Sequence, residues 1–592
     1  MSVDTGRGMA ASPELQRTPR RTEDLPQRLG GFTTLAEGLD YAAKGKTGFN
    51  FYGGRGALAA VLPYAELRHR AISTARQLLA IGLKPGQRVA VVAETAPDFM
   101  QVFFGCQYAG LVPCPVPYSM YIGGREAYVQ RVAGMFRAAD VAAVITSEDL
   151  RGPIADGAAL AAVGKVLTHQ ELATQPEAMT RLEGFGPDDV AYIQYSSGST
   201  SAPKGVLITQ RAIMANAEGM LQSGLKVRPE DRAFSWLPLY HDMGLVGFCL
   251  SPMLGQVTVD YLPTTAFARR PTLWLKLMSD NRSTISYSPT FGYELAGRRI
   301  NGEAITLDLS QWRAAGIGGD MVRAEVLNEF AHALSVAGFN ARAFVPSYGM
   351  AESTLAISFA NVDAPISIDT VDLAALKTKK RAVPVRKPSA ETRSFVVCGA
   401  PLPDHQMEVR ADDGQVLEER EIGRIFVKGP SIMAGYFNNA DATSQAIGRD
   451  GFLDTGDMGY FLGGEIVITG RAKDLILHNG RNIWPQDIEW AAEAVPPLKS
   501  GDVAAFAVEG ADGDDELVVL VECKLANAEQ QEALRKAVHT KVHQVAGVDC
   551  SIVLIPPRSL PFTSSGKLSR SGARERYLSG EIVEIAPERA LA

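Results

Sequence analysis

The run Tyr195-Ser196-Ser197-Gly198-Ser199-Thr200-Ser201-Ala202-Pro203-Lys204-Gly205-Val206 sets hydroxyls, small residues and one Lys between two apolar stretches, 190–195 and 206–208. Gly and Ser let backbone N–H groups come close to an anion, and hydroxyls can wrap its oxygens from several sides. Lys204 adds a compact charge suited to phosphate. The run therefore reads as a loop for a polyphosphate, with ATP the first candidate. It is not a P-loop. That pattern needs Gly, four residues and then Gly-Lys-Ser/Thr opening a helix, whereas here Pro203 precedes Lys204 and Gly205-Val206 follows it. A Gly/Ser-rich run alone is more often a solvated linker; Pro-Lys-Gly between two apolar segments argues against that.

Other polar groups recur in apolar surroundings. Pro238-Leu239-Tyr240-His241-Asp242-Met243-Gly244 offers a buried His-Asp pair or a pocket wall. In Ser347-Tyr348-Gly349-Met350-Ala351-Glu352, a Tyr face can stack on a purine, and Glu352 can hold Mg²⁺ beside phosphates. Asp457 can accept ribose hydroxyls and Arg471 can reach ribose or phosphate oxygens. Thr563-Ser564-Ser565-Gly566-Lys567 is a polar loop whose Lys, taken alone, reads as a solvated charge.

The elements that must position these groups alternate along the chain. Leu67, Ala71, Ala75, Leu78 and Leu79 share one helix face, which Gly82 ends. Short buried strands follow at 88–93, 112–116, 141–146 and 190–195, with an apolar helix at 99–111. Such alternation implies parallel sheets with crossover helices, an α/β architecture. The cluster Lys377-Thr378-Lys379-Lys380-Arg381 interrupts it and reads as a solvated face. A small β-rich, barrel-like region follows, with strands at 406–410 and 423–428 around the turn Asp412-Asp413-Gly414. Strands at 503–508, 517–523 and 551–555, with a helix over 529–542, make a small α+β domain. The expected division is a flexible tail over 1–30, a large domain over 31–472 and a small domain over 473–592.

At 592 residues the chain exceeds one hydrophobic core. A net charge of -7 argues against a nucleic-acid surface, so no nucleic-acid partner is expected. Cys106, Cys114, Cys249, Cys398, Cys523 and Cys550 are scattered with no Cys-x-x-Cys pair, and the histidines lack ligand spacing. Both patterns suit a reduced, cytoplasmic protein. No apolar stretch approaches the roughly 20 residues of a membrane span, and residues 1–30 lack the apolar core of a signal peptide.

In their order, these motifs resemble the adenylate-forming superfamily of acyl- and aryl-CoA synthetases, peptide-synthetase adenylation domains and luciferases. The resemblance runs from about Leu62 to Arg570. Within it the chain is most similar to fatty acyl-AMP ligases, which load acyl carrier proteins. That likeness rests on Ser235-Trp236-Leu237-Pro238-Leu239-Tyr240-His241-Asp242-Met243-Gly244-Leu245, on Gly480-Arg481-Asn482-Ile483-Trp484-Pro485-Gln486-Asp487-Ile488-Glu489 and on residues 560–567. The segment 352–399 is also longer than CoA synthetases tend to have. Two departures stand out: Tyr118-Ser119-Met120-Tyr121 replaces a Pro-rich stretch, and Asp320 stands where Glu is commoner.

The resemblance implies that a fatty carboxylate attacks ATP to give acyl-adenylate and pyrophosphate, with Mg²⁺ at Thr200 and Glu352. Ser196, Ser197, Gly198, Ser199, Thr200 and Lys204 would hold phosphates. Gly318, Gly319, Asp320, Ser347, Tyr348, Gly349 and Met350 would surround adenine, with Asp457 and Arg471 at ribose. Lys567 would bridge the acyl carboxylate and the α-phosphate, while His241 would line the junction of the two sites. Met243, Leu245, Tyr287, Pro289 and Phe291 would line the acyl pocket. Rotation of the small domain about Lys473 would then admit the phosphopantetheine thiol of a holo acyl carrier protein. The alternatives are a fatty acyl-CoA ligase of the same fold and a non-catalytic nucleotide-binding scaffold.

Overall fold

The computed structural model describes residues 15–21, 25–118, 124–196, 203–389, 391–478, 481–509, 515–547, 549–563 and 567–585. The large domain is built on two parallel-rich sheets. In one, the strands Val112–Val116, Arg88–Val92, Val141–Thr146 and Val166–Thr168 run side by side, all parallel. In the other, Gly48–Tyr52, Thr258–Tyr261, Arg232–Ser235, Ile285–Ser288, Ala314–Ile317 and Phe344–Gly349 are parallel neighbours in that order. Antiparallel strands flank this second sheet, Leu58–Pro63 on one side and Ala356–Phe359 followed by Ala400–Pro401 on the other. The apolar strands are buried on both faces, as crossover helices such as Tyr64–Ala80 and Pro97–Ala109 require.

One strand departs from the expected rhythm. Val190–Ser196 pairs antiparallel with Lys204–Thr209, so the phosphate-type loop is the tip of a hairpin. The connection from Ser196 to Lys204 is too short for a parallel crossover, which takes a dozen or more residues. Most of that tip, 197–202, lies outside the described residues.

The β-rich region is a four-stranded antiparallel sheet of Gln406–Arg410, Gly423–Lys428, Leu453–Leu462 and Glu465–Arg471. Beyond it, the small domain has the sheet Val503–Glu509, Asp515–Glu522 and Ser551–Ile555. Alternate residues feed two separate cores: Val503 and Ala505 face the helices Pro485–Glu493 and Ala528–Ala546, while Ala504 and Phe506 face Arg570–Leu578.

Part of the stretch expected to be a flexible tail is packed instead. Thr18 is only 4% exposed. Its backbone N–H donates to Asn50 Oδ1 at 2.9 Å, and its carbonyl accepts from Arg232 Nη1 at 3.1 Å. Arg232 and Asp260 form a buried ion pair at 2.6 Å, and Asn50 Nδ2 donates to Asp260 at 2.9 Å. Buried charges are tolerable only with their remaining donors and acceptors satisfied, and the Thr18 peptide supplies one of each. In the Lys377–Arg381 cluster, residues 378–381 are exposed as a solvated face should be, while Lys377 departs from that reading: its Nζ donates to the Val545 carbonyl of the small domain at 3.0 Å.

Removing residues 1–21 leaves Arg232 and Asn50 short of partners in the core. Each orphaned group costs about 1–3 kcal/mol, so the thermal midpoint is expected to drop by several degrees. An unchanged midpoint in differential scanning fluorimetry contradicts this role for Thr18.

Candidate active site

The carboxyl ends of Ile285–Ser288, Ala314–Ile317 and Phe344–Gly349 open into a cavity of about 1390 Å³ at the seam with the small domain. Ligands of open α/β sheets bind in this crevice because the following loops converge there. Ser196, Lys204, His241, Asp320, Tyr348, Glu352, Asp457, Arg471, Lys473 and Lys567 all line it. The fold therefore brings together sequence-distant groups from the hairpin, the large sheet, the β-rich region and the small domain.

Glu352 sits in a short 3₁₀ turn that ends in backbone strain. Thr354 has φ 64° and ψ −58°, a rare conformation for a β-branched residue. It forms a tight γ-turn in which Leu355 N–H donates to the Ser353 carbonyl at 2.7 Å. The Thr354 hydroxyl, bonded to the Ser431 carbonyl at 2.7 Å, helps to hold it. Glu352 Oε1 accepts from the Tyr436 hydroxyl at 2.9 Å, and Lys204 Nζ lies 4.9 Å from the centre of the Tyr436 ring. Tyr436 reaches this position because Gly435–Tyr436 pairs with Lys204–Thr209. Burial raises the Glu352 carboxyl above the ordinary carboxylate range, and the Tyr436 hydrogen bond opposes that rise. Its ionised form, at the cavity wall, has the hard oxygens that a divalent cation takes. Thr200, the other expected ligand, lies outside the described residues, as do Ser197, Gly198 and Ser199.

A second group surrounds Lys567. Gly319 has φ 83°, and a Cβ built there would lie 2.8 Å from Met243 Sδ and 3.9 Å from Lys567 Nζ. A side chain at 319 would collide with Met243 and come into contact with Lys567. Asp242, Asp320 and Asp457 all act on this ammonium, and burial followed by Arg471 pulls its pKa below the ordinary lysine value against them. Asp320 Oδ1 accepts from Thr290 N–H at 2.9 Å, which also satisfies the start of the helix Thr290–Arg299. Burial pushes the Asp320 carboxyl up to about 6. Burial acts upward on Asp242 too, but the His241 ring, 2.5 Å from Oδ1, holds it below the usual value with Lys567 assisting.

The Tyr348 hydroxyl donates to Asp457 Oδ2 at 2.7 Å, and Arg471 Nε lies 3.5 Å from Asp457 Oδ1. Gly349 cannot be replaced without moving backbone, since a Cβ there would sit 1.9 Å from the Leu355 carbonyl oxygen. Gly318 faces Ser347, while Met350 N–H is bonded to the Leu355 carbonyl. Lys473, in the short turn Ala472–Asp474, lines the cavity near Asp457 and Glu352. Next to it, Arg570 pairs with Asp474 at 2.9 Å and with Glu489 at 2.7 Å.

Of the expected acyl-pocket residues, Met243, Tyr287 and Phe291 line the cavity. Leu245 and Pro289 do not. Leu245 lies two positions from Met243 on a helical turn and so faces the core. Pro289 sits at the helix start, with its carbonyl engaged by Gly292 N–H. Sequence reasoning missed Tyr436, Arg570 and Glu489. Tyr436 carried no motif, and the ion triad joins positions far apart in the chain.

The profile of the family described as AMP-binding enzyme matches residues 53–437, and that of the AMP-binding enzyme C-terminal domain matches 480–571. The chain belongs to the AMP-binding enzyme family. It is 50% identical over 570 residues to a putative acyl-CoA synthetase of Caulobacter vibrioides, covering 96% of this chain and 99% of that one. It is 31% identical to the medium-chain-fatty-acid–[acyl-carrier-protein] ligase JamA of Moorena producens, covering 93% and 96%. Among solved structures, one from a study of fatty acyl-adenylate ligases from E. coli and L. pneumophila superposes with a TM-score of 0.90 at 42% identity, covering 94% of this chain and 100% of that one. The chain thus has the fold and architecture of the fatty acyl-AMP ligase type of ATP-dependent adenylate-forming enzymes. Among the described residues, no helix is long and apolar enough to cross a membrane.

Replacing Tyr436 with Phe removes the donor that opposes the raised pKa of Glu352. The charged carboxylate then forms only at higher pH. If Glu352 must be ionised, the acidic limb of the pH profile for acid-dependent ATP–pyrophosphate exchange moves upward in the variant. An unmoved limb separates Tyr436 from Glu352 function.

Proposed function

We propose that this enzyme activates a medium- or long-chain fatty acid as the acyl-adenylate and transfers the acyl group to the phosphopantetheine thiol of an acyl carrier protein. The observation that carries the first step is the seating of Lys567, from the small domain, in a large-domain cavity that also holds Lys204, Tyr348, Asp457 and Arg471. A carboxylate is a poor nucleophile towards a polyanion, because the two repel. Positioning and charge neutralisation answer that difficulty.

In the proposed reaction a carboxylate oxygen attacks the α-phosphorus, and the bond to the oxygen bridging to the β-phosphorus breaks. Pyrophosphate leaves with that electron pair. Lys567 neutralises the carboxylate and α-phosphate as they meet, and Lys204, with Ser196, faces the departing phosphates. Tyr348 stacks on adenine beside Gly318, Gly319 and Asp320, while Asp457 and Arg471 take the ribose. Mg²⁺ held by Glu352 and Thr200 would supply further neutralisation of phosphate charge. His241 orients Asp242 at the junction with the acyl channel.

In the second step the carrier's thiol sulfur attacks the acyl carbon, AMP leaves and the thiol proton passes to solvent. Lys567 occupies the space the thiol needs, so the small domain must turn, with Lys473 as the hinge. Two contacts from the long segment after Glu352 bear on that turn. Arg393 pairs with Asp487 of the small domain at 2.9 Å, and Lys377 bonds the Val545 carbonyl. They support a restricted set of small-domain orientations, and with it a preference for a carrier over free CoA. The name of the Caulobacter relative keeps acyl-CoA formation as the second reading.

Mass spectrometry after incubation with ATP, fatty acid and either CoA or holo carrier protein decides the acceptor; acyl-CoA as the main product rejects the carrier assignment. Lys567→Ala is expected to slow adenylate formation by about 10²–10³-fold with the circular dichroism spectrum retained. Full exchange activity in that variant removes Lys567 from the chemistry. Deleting 363–387 is expected to raise acyl-CoA formation, and no gain there dissociates the segment from acceptor choice.

A further inference from the structure

The turn that carries Lys473 is anchored on both sides. Arg471 ends the strand Glu465–Arg471 of the β-rich region, where it stands in register with Asp457 on the neighbouring strand. Asp474, three residues on, accepts from Arg570 Nη1 at 2.9 Å. Only Ala472 and Lys473 lie between these two held positions. Hinges work by absorbing a change of φ and ψ in a few such residues. A turn this short, fixed at each end, passes a rotation directly to whatever Asp474 is bonded to.

Arg570 makes two further bonds. Its Nε and Nη2 donate to Glu489 Oε1 and Oε2 at 2.8 and 2.7 Å, a bidentate pairing that fixes the plane of the guanidinium. Glu489 is 4% exposed, and its Oε1 also accepts from Ala505 N–H at 3.1 Å. Three segments therefore meet at one guanidinium: the hinge turn, the helix Pro485–Glu493 and the start of the helix Arg570–Leu578. Lys567 stands three residues before Arg570, and the chain between them is held. Leu568 packs on the core of Ala504, Phe506 and Leu560. Ser569 N–H donates to the Pro561 carbonyl at 2.9 Å, and the Ser569 side chain caps the helix through Gly572 N–H. The Lys567 carbonyl accepts from Thr563 N–H at 2.7 Å. Asp474, Glu489 and Arg570 line the same cavity as Lys567. A buried ion cluster is often no more stabilising than apolar side chains of similar volume, but its directional bonds hold position.

We propose that Arg570 is a positioning residue for Lys567: it ties the lysine's loop to the residue that follows the hinge, so that the turn of the small domain and the withdrawal of the ammonium are one movement. This rests on the adenylation reading above and deepens it. With the tie cut, Lys567 keeps its charge but is no longer held where the carboxylate and the α-phosphate meet. A displacement of about 1 Å at such a place can cost about a hundredfold in rate.

The test measures the two half-reactions separately. The first is followed by acid-dependent ATP–pyrophosphate exchange. The second is followed by transfer from added acyl-adenylate to whichever thiol the wild type accepts, holo carrier protein or CoA. In Arg570→Ala, exchange is expected to fall by roughly tenfold to a hundredfold through kcat, and transfer, for which Lys567 is withdrawn, by much less. Asp474→Asn, which leaves the pairing with Glu489 intact, is expected to show a smaller loss with the same bias. In a Lys567→Ala background, adding Arg570→Ala is expected to cost little more, because the group it positions is gone. Equal losses in both half-reactions, or a full further loss on top of Lys567→Ala, assign Arg570 to general support of the small domain and overturn the proposal. Exchange unchanged in both single variants overturns it too. Should Arg570→Ala fail to fold, Asp474→Asn carries the same comparisons alone and with Lys567→Ala. Wild-type protein that gives no exchange with any fatty acid overturns the adenylation reading itself, an outcome distinct from exchange that the variants leave untouched.

Discussion

The site depends on a cation that one domain lends to another. The cavity wall carries Asp242, Asp320, Glu352 and Asp457, an unfavourable lining for a polyphosphate. Unit charges 4 Å apart interact by about 4 kcal/mol in surface-like surroundings, so these carboxylates call for cations beyond Lys204 and the wall arginines Arg298, Arg299, Arg323 and Arg424. Lys567 corrects the balance, with Arg471 and Lys473 from the β-rich region beside it. Because Lys567 belongs to the small domain, anion binding and domain seating are coupled: whatever anion the wall accepts also favours the orientation that delivers the ammonium.

The surrounding backbone is shaped to permit that delivery. Gly319 spares a side chain that would collide with Met243 beside Lys567, and Gly349 lets its strand pass against Leu355. The γ-turn at Thr354 ends the short turn carrying Glu352 and keeps that residue facing Tyr436. Strain of this kind persists only where the surroundings hold it. The Thr354 hydroxyl bond to Ser431 and the antiparallel pairing of Gly435–Tyr436 are what hold it here.

The sequence disclosed the elements and the charged groups because each leaves a local trace. The apolar periods of 88–93 and 112–116 end at loops, and Lys204, Asp457 and Lys567 stand in runs of small or polar residues. The strands lie at or within a residue or two of where their apolar runs placed them, since burial on both faces demands such runs. What stayed hidden depends on contacts between distant segments. Tyr436 gains meaning only from the strand pairing that sets it beside Lys204. Thr18 looked like tail because the partners that order it, Asn50 and Arg232, lie far along the chain. Leu245 shared Met243's apolar character but not its face.

The contact between Arg393 and Asp487 bears on how firmly the small domain is held. Burial lowers the pKa of the guanidinium and raises that of the carboxyl, and in each case it outweighs the attraction of the partner. Desolvation thus opposes the Coulombic attraction at both partners, as it does in buried ion pairs generally. What it does supply is a directional contact: the Arg393 guanidinium lies 4.6 Å from the Phe395 ring centre and 5.9 Å from that of Trp484 as well as 2.9 Å from Asp487. Such a contact suits the domain turn proposed above, in which Lys567 is seated for one half-reaction and withdrawn for the next. The Lys377 bond to Val545 adds a neutral acceptor at a second point, so the docking is defined at two places without being made irreversible.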